Sequence, residues 1–131
     1  MKEVASDFGL LWLRVLMGSG IAYHGYGKVF GGNIVKLTEG VAQMGFPSPE
    51  VFAWAAALSE FAGGIFIIAG VLTRAAAFFV FMTMCVAVFV AHANDPFGVK
   101  ELALAYLTMA GTLILTGPGS ISLGRFVGKG K

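Results

Sequence analysis

Apolar runs fill most of the chain between Phe8 and Thr116, and turn residues break them at regular intervals. A hydrocarbon core of ~30 Å needs ~20 helical residues; three stretches reach or approach that length and a fourth, shorter one follows them. They run over residues 8–30, 51–72, 75–93 and 101–116, the last being the shortest. They are apolar on all sides, without the strict alternation of a half-buried strand. In lipid every backbone polar group must be satisfied internally, so helices are the open choice. The pattern therefore predicts an all-α polytopic membrane protein, a four-transmembrane-helix bundle. Ser48-Pro49-Glu50 is a strong start signal for the second span: a Ser cap, Pro at the first helical position and an acidic first turn. Asn94-Asp95-Pro96 ends the third span and Gly117-Pro118-Gly119 ends the fourth.

The stretch between the first two spans is not plain loop. Ile34, Leu37, Val41 and Met44 fall on one helical face, with Lys36 and Glu39 off it. This predicts a short interfacial helix between helices 1 and 2, lying on the membrane surface or packed as a lid over the bundle mouth. Gly45-Phe46-Pro47 then breaks it.

Composition agrees. The chain is 57% apolar and 12% charged, where soluble domains carry about 25% charged residues. A mean hydropathy of +0.83 leaves no soluble surface for 131 residues, which fit one membrane domain over 1–131. A net charge of +2, with no basic run or aromatic-basic interleaving, sets nucleic acid aside as a partner. The lone Cys85 excludes an intramolecular disulfide and any two-thiol chemistry within one chain, and reads as a packing residue. Lys2 precedes the first run, but Arg14 interrupts it and no small-x-small cleavage pattern closes it, so it reads as a retained span. Lys2, Arg74, Arg125, Lys129 and Lys131 lie on the terminus side, against Lys28, Lys36 and Lys100 on the other. For a multi-pass protein of the cell membrane the positive-inside rule then predicts cytoplasmic termini.

An ionisable group at membrane depth is costly and marks a functional-site hypothesis. Here they are Arg14, His24, Lys28, Glu60 and His92. Glu60 sits nine residues into its predicted span, roughly 13 Å deep. Its helical face carries Ala53, Ala56, Ala57, Gly63 and Gly64, the small residues that allow close helix packing. At that depth its carboxyl must be paired, hydrogen-bonded or protonated. Arg14, Gly18, Ile21, Gly25 and Lys28 form one stripe on the first helix, with His24 beside it. His92, Lys28 and His24 fall on the same side of the membrane, so His24, Lys28, Glu60 and His92 are expected to line one polar pocket. Glu101 and Tyr106 are candidates to join from helix 4. Two rival readings stand beside this: a buried ion pair that only fixes helix register, and a histidine capping a helix end. Two histidines and a carboxylate could also ligate a metal or haem, but no spacing motif supports either.

Arg14, His24-Gly25-x-x-Lys28, Gly45-Phe46-Pro47-x-Pro49-Glu50, Glu60-x-x-Gly63-Gly64, Gly70-x-Leu72-Thr73-Arg74, His92 and Thr116-Gly117-Pro118-Gly119, in this order, resemble the DoxX family. One departure is Ser122-Leu123-Gly124, where the family often has Ser-Leu-Asp. The resemblance implies a four-helix integral membrane protein linked with membrane redox systems, such as quinone-reducing sulfur oxidation or thiol-stress complexes. The leading expectation is a membrane redox component that binds a quinone or similar head group. In it, Glu60 and His24 are the catalytic candidates, and Arg14, His24, Lys28, Glu60 and His92 are the ligand-binding ones; no metal site is expected. The chain shows no electron-donor site of its own, so a partner redox subunit or a homo-oligomer is expected, and a subunit of an oxidoreductase fits better than a self-sufficient enzyme. The alternatives are a non-catalytic membrane anchor or assembly subunit, and a small proton-coupled transporter acting as an oligomer.

Overall fold

The computed structural model describes residues 2–124, with side chains from residue 4 onward, and its regular structure in that range is helical, joined by turns. Helix α1 spans Lys2–Val29, α2 Ile34–Gln43, α3 Pro49–Ala69, α4 Thr73–Val86 and α5 Phe97–Thr116. A π-helical turn, Ala87–Ala91, extends α4. Four segments are long and apolar enough to cross a membrane: Val4–Val29, Pro49–Ala69, Thr73–Ala91 and Phe97–Thr116. Arg125, Lys129 and Lys131, used in the orientation count, lie outside the described residues.

The spans run up and down in order, α1 packed on α3, α3 on α4 and α4 on α5, while α5 touches α1 at few points. The tightest seam is α1 against α3, and glycine makes it. A Cβ on Gly18 would lie 2.7 Å from the Gly64 carbonyl oxygen, and one on Gly64 would lie 2.7 Å from that of Gly18. A Cβ on Gly25 would collide with the backbone of Phe61 and Glu60. Small residues therefore bring the two backbones together at the level of the carboxylate. Met17, Ile21, Ile67, Val80, Met84 and Leu113 fill the centre of the bundle.

All four spanning helices begin before the spans expected from the sequence, α1 at Lys2, α3 at Pro49, α4 at Thr73 and α5 at Phe97. Ser48 stands at the predicted cap position, but it is left-handed (φ 47°) and its side chain makes no capping hydrogen bond. Pro49 and Glu50 begin the helix as expected. α2 packs on α3 with Val41 buried, and is thus a lid over the bundle mouth.

Candidate functional site

Glu60 stands at the middle of α3, eleven residues after Pro49 and nine before Ala69, which is about 16 and 14 Å of helix. It is 3% exposed. Lys28, one residue before the end of α1, reaches down to it and donates to both carboxylate oxygens, at 2.8 and 2.9 Å. This position follows from the glycine seam, because Gly25 against Glu60 and Phe61 sets Lys28 one turn above the carboxylate. A buried ion pair is tolerated only with good geometry, and this one is bidentate. Neither partner is exhausted. An ammonium has three donors and a carboxylate about four lone-pair sites, so one N–H and about two lone pairs remain for other partners.

Those remaining sites face two cavities. The larger, about 350 Å³, lies between α2, α3 and α4. Its walls are mostly apolar, with Leu37, Val41 and Met44 from the lid, Phe52 and Ala56 from α3, and Phe79 from α4. Lys28, Glu60 and His92 supply its polar end. The smaller, about 160 Å³, lies between α1, α4 and α5, and is lined by His24, Lys28, Glu60, Tyr106, Met84 and Ala103 among others. The Lys28–Glu60 pair is the wall between them.

The single pocket expected from the sequence is therefore two. His92 faces the larger cavity and His24 the smaller, because the ion pair and the α3–α4 packing stand between them. His92 follows the π-turn, is 40% exposed through its side chain, and pairs through Nδ1 with Asp95 Oδ2 at 2.8 Å. The π-turn ends at His92, whose backbone N–H donates to the Ala87 carbonyl, while its imidazole pairs with Asp95 and not with the helix-end carbonyls. His24 is exposed at the rim of the smaller cavity, its ring edge-to-face with Tyr106 at 6.2 Å. Tyr106 joins the cluster; Glu101 is exposed and lines neither cavity.

Arg14 does not reach the site. Its guanidinium, 1% exposed, donates to the carbonyls of Ile67 (3.0 Å) and Ile68 (3.0 Å) at the end of α3. It also donates to Pro118 (2.9 Å) and Ile121 (2.6 Å) in the turn after α5. The last carbonyls of a helix lack intrahelical partners and carry partial negative charge, so a buried arginine is neutralised there without a carboxylate. Gly70, at φ 76°, leaves room for it: a Cβ at that position would lie 2.8 Å from Arg14 Nη2.

Among the described residues, no three His, Cys, Asp or Glu side chains come together as metal ligands. The site element that the sequence reading missed is the π-turn that follows α4. The π-turn at Ala87–Ala91 carries Ala87 and Ala91 along the larger cavity, and π-turns recur at functional sites. An all-apolar run gives no warning of such a turn.

Four spanning helices around a buried intramembrane ion pair, capped by an amphipathic lid, define a polytopic membrane protein. Residues 9–93, which carry the pair, both cavities' α1, α3 and α4 walls and His92, match the DoxX family, and the chain belongs to that family. It is 34% identical over 134 residues to the inner membrane protein YqjF of Escherichia coli (strain K12), with 98% of each chain covered. No solved structure matches it.

Proposed function

We propose that the protein is an integral inner-membrane component of a redox system, and that it binds a quinone or similar head group in the larger cavity. The observation that carries this reading is the mostly apolar cavity of about 350 Å³ ending in Lys28, Glu60 and His92. That volume lies within the ~300–1,000 Å³ typical of small-molecule sites, which are mostly apolar with a few convergent polar groups. The residue types suit a quinoid ring. Phe52 and Phe79 supply flat apolar walls, and the third Lys28 N–H is available to a ring carbonyl. With Nδ1 turned to Asp95, His92 keeps Nε2 for the cavity.

A quinone supplies two-electron chemistry coupled to protons when bound. Lys28 would hold a carbonyl oxygen as negative charge develops there, and Glu60 would hold the proton destined for it. The lid residues Leu37, Val41 and Met44 would keep bulk water from that end. The described residues offer no donor of electrons, so a partner subunit would provide them. The termini are taken to face the cytoplasm, on the lysine and arginine count.

The test uses purified protein in nanodiscs. Organic extract and absorption spectrum should reveal copurifying quinone. Added decylubiquinone at about 100 times its Kd should stabilise the wild type by ~2.7 kcal/mol. Glu60→Gln should fold and lose that stabilisation. No quinone in the extract, together with an undiminished response in Glu60→Gln, would overturn the reading.

One observation favours a second reading, a non-catalytic anchor or assembly subunit. The Lys28–Glu60 pair joins α1 to α3 with bidentate geometry, as a register-fixing pair would. An anchor would show no head-group response in any variant.

A further inference from the structure

The smaller cavity reaches the same carboxylate from the opposite side. Its rim residues His24 and Leu102 lie five residues from the end of α1 and from the start of α5, about 7–8 Å of helix. Its floor is Glu60, at mid-helix. Beside Ile21, Met84, Leu102 and Ala103, it places His24, Tyr106, Lys28 and Glu60 around about 160 Å³. The volume suits a short file of waters, roughly five at ~30 Å³ each, and a stable buried water needs two to four polar partners. The four side chains provide them. The Tyr106 hydroxyl is held against Gly20, where any Cβ would collide with it. Elsewhere α5 meets α1 at few points.

We propose that the smaller cavity is the water inlet of Glu60, bringing solvent past His24 and Tyr106 to the face of the carboxylate turned away from the head group. The idea rests on the reading of Glu60 as the proton-holding carboxylate. It gives that carboxylate a route to solvent that a bound ring in the larger cavity does not block. It also gives His24 a place in the site: a positioning residue at the inlet rim that meets no ligand.

X-ray radiolytic footprinting of the protein in nanodiscs tests this, because side chains beside internal water are oxidised by radicals formed there. Met84 lines the inlet, whereas Met17 is packed in the core and lines neither cavity. Both are nearly fully buried. The expected result is that Met84 and Tyr106 are oxidised about tenfold faster than Met17. Ala103→Phe, which fills the inlet, should bring Met84 down to the Met17 rate; Ala103→Met is the milder filler should the first not fold. Ala56→Phe, which fills the larger cavity, should leave Met84 oxidation unchanged. Met84 as inert as Met17 in the wild type would overturn the inlet, as would oxidation that Ala103 fillers do not reduce. Decylubiquinone binding is measured alongside. Its absence from the wild type would end the head-group reading alone, since the oxidation pattern does not depend on it.

Discussion

A buried arginine and a buried glutamate solve the same problem in this chain by different means. Glu60 takes a countercharge, while Arg14 takes four carbonyl oxygens from two chain segments. A planar fork can do this and a point charge cannot. Arg14→Lys should forfeit at least one of the four charged hydrogen bonds, a loss of at least about 1.5 kcal/mol at the low end of ~1.5–3 kcal/mol each. Thermal unfolding in detergent would show that loss, with decylubiquinone binding kept in the folded fraction. For the ion pair the expected outcome depends on which partner goes. Lys28→Met leaves an uncompensated carboxylate and should cost about 3–5 kcal/mol. The double variant Lys28→Met/Glu60→Leu should return close to wild-type stability, since apolar replacement of a buried pair is often neutral. It should nevertheless fail to bind the head group. A double variant that still binds would remove the pair from the site. The residue types were legible in the sequence, and Glu60 on its small-residue face most of all. The partner of Arg14 was not, because backbone carbonyls carry no sequence signature.

Among the helices, the α1–α3 seam governs the geometry of the pair. Gly25→Ala would push a methyl group into the Phe61 backbone and force the helices apart at that level. Overpacking of this kind costs about 1–3 kcal/mol. It should also lengthen the Lys28–Glu60 contact, which a lowered melting temperature and a weakened decylubiquinone response in the same variant would report. Gly40→Ala, on α2 with open space at its Cβ, is the control and should be silent in both. The elements themselves were readable from hydropathy and turn chemistry, including the amphipathic α2 with Val41 on its buried face. The division into two cavities was not. It depends on where the Lys28–Glu60 pair comes to stand, between the spaces that His24 and His92 line.

On the scale of the whole molecule, the bundle is a ribbon of four spans that closes loosely between α5 and α1. Lys36 on the lid and Arg74 at the α3–α4 turn lie at opposite ends of it. With cytoplasmic termini, Lys36→Cys in a Cys85→Ser background should react with a membrane-impermeant maleimide added to intact cells whose outer barrier is permeabilised. Arg74→Cys should react only after lysis. The reverse pattern would invert the topology. Orientation is legible only as a charge bias, since the bundle's packing is the same whichever way it is inserted.

The guanidinium at position 14 adds an order to biogenesis. Two of its acceptors, on Pro118 and Ile121, are 104 and 107 residues further along the chain. The opening helix thus enters the bilayer carrying a positive group whose acceptors have yet to be synthesised. Until the ribosome has delivered them, that helix remains incompletely neutralised. Chains cut short before the closing turn should therefore be degraded faster in a pulse-chase than those that complete it and tie the first helix to the turn after the last.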